Sequence, residues 1–424
     1  VTSYLFKWAC IGLITGTSGG IAATLFLVFL EKITLLREAN TLLIFGLPIG
    51  GLFVGLLYHQ YGKEVSKGHN ALFEEIYHYN PSKIIPLRMA PMIFLGTLVT
   101  HLFGGSVGRE GTVVQMSACL GDQLKRFFKF SVEEKKTLLV SAISAGIGAG
   151  IGTPWAGGLF GMELMNPVKN GKIKFFLNWR NLYPCYFASW VAYYTANLLK
   201  APHSFYPPLS QAPIFSYKIF LMVVLVGIFF GLVAKVFLFL THLFEKLSST
   251  LVSYPPFRPF IFGSILVCFY VLEGSFFREG AFSLWHGPYR FAGLGLPVIQ
   301  EAMTEILGLK DSLFKILFTA FTLGGGFKGG EFVPLVFVGA TFGSALSAIL
   351  PLSSAFLGRL GFVSVFAAVS KTPYSCALMA IELFGFKIAL PAFISCLMSD
   401  FVVKFFDYLK FFLNKDKKQG QLQK

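Results

Sequence analysis

Apolar runs fill this chain almost end to end, and several are too short to cross a bilayer. Clear runs cover Leu42 to Tyr58, Met92 to Phe103, Leu138 to Met162, Ile219 to Phe244, Phe260 to Leu272, Leu313 to Leu323, Phe332 to Leu350 and Leu360 to Phe384. A hydrocarbon core of about 30 Å needs roughly 20 helical residues. Many of the runs break at glycine or proline, as at Gly104-Gly105, Pro154, Gly324-Gly325-Gly326 and Pro373. Backbone left unpaired at such a break is tolerated inside a membrane only where it is buried in protein or lines a polar cavity. Short, interrupted segments of this kind predict a transport site near the midplane. The first run, Trp8 to Leu30, is long enough to span and lacks the pattern of a cleavable signal peptide.

The composition agrees with an all-α, polytopic membrane protein. Of 424 residues, 54% are hydrophobic and 13% are charged, against about 25% charged in an ordinary soluble domain. The net charge of +15 does not form a nucleic-acid-binding face. Its lysines and arginines cluster between apolar runs, at Lys125, Arg126 and Lys129, at Lys135 and Lys136, at Lys169, Lys172 and Lys174, and in a basic tail, 414–424, with Lys415, Lys417 and Lys418. Basic clusters in short connections and ends mark cytoplasmic flanks, so the C-terminus is expected in the cytoplasm. The cysteines (Cys10, Cys119, Cys185, Cys268, Cys376 and Cys396) and the scattered histidines have no metal-ligand or CxxC spacing, so neither metal nor disulfide is expected. No cofactor loop is present: Gly104 to Gly111 is not GxGxxG, and no GK[ST] follows the glycines at 324–330. With no nucleophile–base pair either, the sequence does not read as an enzyme.

The chain also repeats itself. Gly104-Gly105-Ser106-Val107-Gly108-Arg109-Glu110 resembles Gly324-Gly325-Gly326-Phe327-Lys328-Gly329-Gly330-Glu331. Gly152-Thr153-Pro154 with Glu163 resembles Lys371-Thr372-Pro373 with Glu382, and more weakly Gly68 with Glu74 resembles Gly295 with Glu301. The blocks recur in one order at a spacing of about 220 residues. They divide one transmembrane domain, 1–424, into halves of about 1–205 and 206–413. Duplicated halves with breaks at matching places are a transporter signature, and the two Gly-rich loops are expected to meet where the halves join. Composition leaves open whether the halves are parallel or inverted.

A helix N-terminus offers unpaired N–H groups and about half a positive charge. Glycine lets the backbone approach a bound ion. Gly108-Arg109-Glu110-Gly111 and Gly329-Gly330-Glu331-Phe332-Val333-Pro334 both suit that chemistry if a helix begins after each, and Pro334 fits a first helical turn. Such a site holds an anion without the full charge of a buried lysine or arginine. A carboxylate placed there, Glu110, is itself an anion and competes with the substrate. Once protonated it loses its hold and swings away, linking protons to anion passage. An intramembrane ionisable residue carries function by default. Other readings stand beside these: Glu110 as an ion-pair partner of Arg109, Glu331 as a partner of Lys328, Glu163 and Glu382 as capping or snorkelling residues, and His69 as an interfacial residue.

From about Trp8 to Phe406 the chain resembles the CLC family of anion channels and proton-coupled antiporters. Gly108-Arg109-Glu110-Gly111 resembles its GREG gating segment, Gly330-Glu331-Phe332-Val333-Pro334 its GxFxP segment, and Gly68-His69-Asn70-Ala71-Leu72 stands where chloride members have GSGIP. The resemblance implies an inverted repeat of two halves with broken helices, a homodimer with one pore per subunit in a bacterial inner membrane, and Glu110 as the gate. It implies anion contacts at His69, Gly108, Arg109, Gly111, Gly330, Phe332, Val333 and a pore tyrosine at Tyr408, with no cofactor. Thr112 in place of the proline of GREGP, the following Val113-Val114-Gln115-Met116, and Glu331 resemble the fluoride/proton antiporter branch. In that branch the second glutamate is implicated in proton transfer. The proton glutamate of chloride antiporters aligns with Leu164, and their ligating serine with His69. Fluoride members commonly carry Met at His69 and Thr at Val333. Exchange of fluoride for protons is therefore expected, with chloride/proton exchange or a chloride channel as the alternative.

Overall fold

In a computed structural model the chain is described over residues 2–62, 65, 84–164, 178–214, 216–277 and 290–422. The described elements are helical: α1 (Thr2–Ala39), α2 (Leu47–Tyr61), α3 (Met89–Leu102), α4 (Glu110–Asp122), α5 (Val132–Ile151), α6 (Pro154–Leu164), α7 (Trp179–Leu198), α8 (Tyr217–Leu251), α9 (Phe257–Phe277), α10 (Leu296–Glu301), α11 (Leu309–Gly324), α12 (Phe332–Leu346), α13 (Ser354–Ser370), α14 (Pro373–Phe384) and α15 (Ala389–Leu422). His69, with Gly68 and Glu74, lies outside the described residues, as does the basic cluster at 169–174.

Two long apolar runs divide where the backbone chemistry requires it. The run from Leu138 to Met162 becomes α5 and α6, because Gly152 takes the left-handed conformation (φ 86°) and Pro154 cannot continue a helix. The run from Leu360 to Phe384 divides in the same way at Lys371 (φ 60°) and Pro373. Each upstream helix starts on a serine cap, Ser131 for α5 and Ser353 for α13.

The halves match element by element, α1 through α7 against α8, α9, α11, α12, α13, α14 and α15. Small residues let counterpart pairs approach in the same manner. Gly12, Gly16 and Gly20 of α1 lie on Phe187, Val191 and Ala192 of α7, and Gly227 and Gly231 of α8 lie on Ser395 and Ser399 of α15. Three elements touch their own counterparts. Helix α2 packs on α9, α6 on α14, and the loop before α4 pairs with the loop before α12. The α6–α14 contact is antiparallel, since Glu163 near the end of α6 meets the first turn of α14 and Glu382 near the end of α14 meets the first turn of α6. An element that meets its counterpart head to tail lies on a two-fold axis across its own direction. The halves are therefore inverted, which settles what composition left open.

The geometry also refines the register of the repeat. Gly104 and Gly326 share the left-handed conformation (φ 83° and 94°), Gly108 pairs with Gly330, and Glu110 and Phe332 are the first residues of α4 and α12. Glu110 is thus the counterpart of Phe332, and Glu331 that of Arg109. Matching the two glutamates by sequence is one residue out of step, because the extra glycine of the second loop is absorbed before Gly326.

Large apolar side chains face outward along the long helices, among them Leu13, Ile21 and Leu25 of α1 and Phe220, Leu232 and Phe239 of α8. Among the described residues four helical stretches, 2–39, 41–61, 217–251 and 386–411, are long and apolar enough to cross a membrane.

Candidate functional site

The two Gly-rich loops meet at the join between the halves. Gly108 N donates to Gly330 O at 2.5 Å, and Gly330 N donates to Gly108 O at 2.8 Å. This antiparallel bridge sets the starts of α4 and α12 against each other. A Cβ on Gly108 would lie 2.9 Å from Val333 N, and one on Gly330 would lie 2.8 Å from Gly111 N. Each glycine therefore rests directly on a first-turn N–H of the opposite helix, and no larger residue fits there. First-turn N–H groups have no partner within their own helix. The site is a cradle of backbone donors at two facing helix ends, with Gly108, Gly111, Gly330, Phe332 and Val333 all buried.

Hydroxyls fasten the cradle. Ser106 N donates to Thr322 Oγ1 at 3.2 Å, Ser106 Oγ lies 2.9 Å from Thr319 Oγ1, and Tyr270 Oη donates to Gly104 O at 2.7 Å. Thr112 Oγ1, at the position of the GREGP proline, lies 2.8 Å from Thr97 Oγ1. The hydroxyl holds α4 to α3, a contact that proline cannot make.

Glu110, the first residue of α4, folds back onto Arg109. Its carboxylate accepts from Arg109 N at 3.3 Å and from Arg109 Nε at 3.1 Å, and the residue is only 3% exposed. The carboxylate thus pairs with Arg109 at the start of α4. Arg109 continues to Ser204, with Nη2 donating to Oγ at 3.0 Å. Ser204 belongs to the segment joining the halves, which also brings the buried Tyr206 beside Arg109 and Glu110. His203 Nε2 lies 2.7 Å from Ala149 O and ties this segment to the end of α5. Burial, then the Arg109 charge, lowers the pKa of His203, so the ring is neutral near pH 7.

Glu331 faces elsewhere. The charged groups in its reach are His242 and Glu245 of α8, both exposed, with His242 Nδ1 3.6 Å from Glu245 Oε2. Lys328 Nζ lies over the Tyr58 ring, 4.4 Å from the centroid, and the charged group in its reach is Glu245. Glu163 and Glu382 cap one another's helices. Glu163 accepts from Tyr374 N at 3.0 Å, from Ser375 N at 2.6 Å and from Ser375 Oγ. Glu382 accepts from Trp155 N at 3.0 Å and from Ala156 N at 2.7 Å.

Tyr408 is not brought to the cradle. Helix α15 runs without a break to Leu422 and leaves Tyr408 60% exposed, next to Asp407, which pairs with Lys235 and Lys371. Tyr206 is the tyrosine that sits beside Glu110. Sequence reading missed it because a tyrosine in a Pro-rich connection, Tyr206-Pro207-Pro208, carries no periodic or motif signal.

A family model described as voltage gated chloride channel matches residues 50–404. A chloride/fluoride channel protein of Pseudomonas syringae pv. tomato (strain ATCC BAA-871 / DC3000) is 38% identical over 397 residues, covering 93% of this chain and 84% of that protein. An H(+)/Cl(-) exchange transporter ClcA of Cronobacter sakazakii (strain ATCC BAA-894) is 25% identical over 332 residues, covering 75% of this chain and 67% of that one. Among solved structures, a CLC-type fluoride/proton antiporter superposes with a TM-score of 0.85 at 28% identity, covering 94% of this chain and 96% of that chain. A slow cyanobacterial Cl-/H+ antiporter superposes with a TM-score of 0.73 at 18% identity, covering 95% and 94%.

Proposed function

From the premise that this chain belongs to the voltage gated chloride channel (CLC) family of membrane anion transporters, we propose that it exchanges fluoride for protons across a bacterial inner membrane. The observation that carries the proposal is the buried Glu110 carboxylate at the first residue of α4, which accepts from the N-cap amide and the guanidinium of Arg109 beside the facing helix starts. Protonation removes the charge that holds it there. The vacated donors, with the first turn of α12 opposite, then receive an anion. Each anion passed in this way requires the carboxylate to gain or lose a proton.

Fluoride is small and strongly hydrated, so a site for it must offer close donors in place of water. The close approach of Gly108 to Val333 N and of Gly330 to Gly111 N leaves room only for a small ion, which supports fluoride. Val333 brings no hydroxyl, so the amides of Gly111, Phe332 and Val333 carry the contact, with His69 as a further donor. Glu331 is the second proton group: it is next to the cradle and faces the exposed His242 and Glu245. The CLC-type fluoride/proton antiporter of similar fold supports fluoride over chloride.

Orientation follows from charge. The connection after α4 carries Lys125, Arg126 and Lys129, whereas its counterpart after α12, 347–353, carries no charge. In an inverted repeat these connections lie at opposite membrane faces, and the basic one belongs in the cytoplasm. The working form is a lipid-embedded homodimer with one pathway in each subunit, each built from halves of about 1–205 and 206–413. No catalytic, metal or cofactor role is assigned.

The deciding experiment uses liposomes loaded with KF or KCl, with anion efflux and external pH recorded after the potential is collapsed. Fluoride efflux well above chloride efflux, with proton movement in the opposite sense, is the expected result. Equal rates for the two ions would remove the fluoride assignment and leave a general anion transporter, the chloride reading.

A further inference from the structure

We infer that His101 forms a second anion-binding position, beneath the paired loops and distinct from the helix-end cradle, for the same small halide. The inference rests on the anion-transport reading above. His101 sits in the last turn of α3, just before the Gly104-Gly105 break, and is fully buried. Among the described residues neither Nδ1 nor Nε2 has a hydrogen-bond partner. A neutral imidazole carries one N–H donor and one acceptor, and buried polar groups of native proteins are almost always paired. The Gly108 backbone lies close enough to the ring to interact with its protonated form, but among the described residues no group meets either ring nitrogen in full hydrogen-bond geometry. An unpaired buried donor surrounded by cationic side chains points to a ligand.

The surroundings specify its charge. The charged side chains in reach of the ring are Arg37, Lys315 and Arg109, all cationic. Lys315 is fully buried and spends its ammonium on two carbonyls, Phe291 O at 3.0 Å and Gly293 O at 2.8 Å. It has no carboxylate partner among the described residues, and Arg37 adds a second buried positive charge near it. Arg37 Nη1 donates to His101 O at 3.1 Å, and Glu38 is 3.5 Å from Nη2. A Cβ on Gly293 would lie 2.2 Å from Arg37 Nη1, so glycine is what lets the guanidinium enter this recess. Water would satisfy the imidazole but leave the charge unbalanced. A cation would meet three of its own kind. A small monovalent anion satisfies both demands, taking the imidazole N–H and offsetting Lys315, while Arg37 has Glu38.

This position differs from the cradle in kind. The cradle offers partial charges and a competing carboxylate, which suits release, whereas the His101 position offers an imidazole N–H near Lys315, which has no carboxylate partner among the described residues, and this suits a resident ion near the Gly108 peptide. The test is fluoride titration calorimetry on the full-length detergent-purified protein, comparing wild type, Glu110→Gln, His101→Leu and His101→Asn. Two binding components are expected in wild type. Glu110→Gln shifts one of them. His101→Leu weakens the other by about tenfold or more, and His101→Asn, which keeps an N–H donor, largely preserves it. If His101→Leu does not elute as a single species, Lys315→Gln takes its place with the same expected loss, because it removes charge and keeps the imidazole. Fluoride binding indistinguishable from wild type in a monodisperse His101→Leu or Lys315→Gln protein overturns the inference and leaves the ring on water. Failure of the parent reading looks different: the wild-type protein then moves neither fluoride nor chloride in liposomes.

Discussion

The loop before α4 and the loop before α12 share one backbone and differ in side chains. Both turn through a left-handed glycine, Gly104 or Gly326, both pair through a glycine, Gly108 or Gly330, and both deliver first-turn N–H groups to the same space. At the next two positions Arg109 and Glu110 face Glu331 and Phe332 across the pseudo-two-fold axis. The carboxylate of the first loop therefore sits on the first helical residue and folds back on Arg109. That of the second loop sits one residue earlier and faces α8. Phe332 fills the place of the gate and packs on Phe366, with ring centroids 4.6 Å apart. Direction follows as well. Arg109 reaches Ser204, ahead of α8, and Glu331 faces His242 and Glu245 near the far end of α8, a helix of about 50 Å. On the proposed function, backbone symmetry builds the anion site and side-chain asymmetry gives each membrane face its own proton group.

The strongest way to break this comparison is Glu110→Gln. The amide keeps the shape of the side chain but exchanges no proton. Anion efflux is expected to persist while proton movement driven by a fluoride gradient falls to background. Uphill proton pumping by this variant would show that the gate lies elsewhere. Next in size are Gly108→Ala and Gly330→Ala. Each places a methyl group under 3 Å from a donor of the opposite helix. Loss of one charge-assisted contact is worth about tenfold or more in rate, and the two variants are expected to lose fluoride efflux to a similar degree. A large loss in one and none in the other would show that only one loop touches the ion.

Much of this was legible in the sequence, for physical reasons. Breaks at Gly104-Gly105, Pro154, Gly324-Gly325-Gly326 and Pro373 are backbone events that local chemistry dictates, so their places were readable. The meeting of the loops followed from the repeat. Its register did not, because the sequence aligns like with like, Glu110 with Glu331, whereas the structure aligns backbone conformation, Gly104 with Gly326. Tyr206 and His101 escaped notice because their roles come from long-range packing, one from the connection between halves and one from a recess shared by α1, α3 and α11. The reciprocity of Glu163 and Glu382 was out of reach too, since nothing local says which helix start a carboxylate will meet.

Glu331→Gln sharpens the comparison with a smaller effect. Phe332 rather than Glu331 holds the position equivalent to the gate, so this change is expected to leave anion efflux near wild type and reduce proton coupling only in part. His242→Gln, on the exposed side of the same route, is expected to act in the same direction and more weakly. Proton flux at the wild-type rate in Glu331→Gln, measured at matched protein density, would return Glu331 to a structural role. Abolished anion efflux would instead place it on the substrate.

The smallest expected effect separates the halves where they look most alike, at the reciprocal caps. A carboxylate at a helix start is stabilised by the free N–H groups and the helix dipole, typically by about 1 kcal/mol. Glu382 serves two backbone donors of α6, Trp155 N and Ala156 N. Glu163 serves two of α14, Tyr374 N and Ser375 N, and also takes the Ser375 hydroxyl. Replacing either with Gln removes the charge and keeps one accepting oxygen. Both variants are therefore expected to lower the thermal midpoint of the detergent-purified protein, and Glu163→Gln to lower it further, because its oxygen cannot serve all three donors. Ser375→Ala isolates the difference: in that background the two Glu→Gln changes are expected to cost the same. Both caps join one half to the other rather than line the cradle, so fluoride efflux from liposomes should be unchanged in all of these proteins. A loss of proton coupling in Glu163→Gln with an unshifted midpoint would overturn the capping role and make that carboxylate part of the proton route.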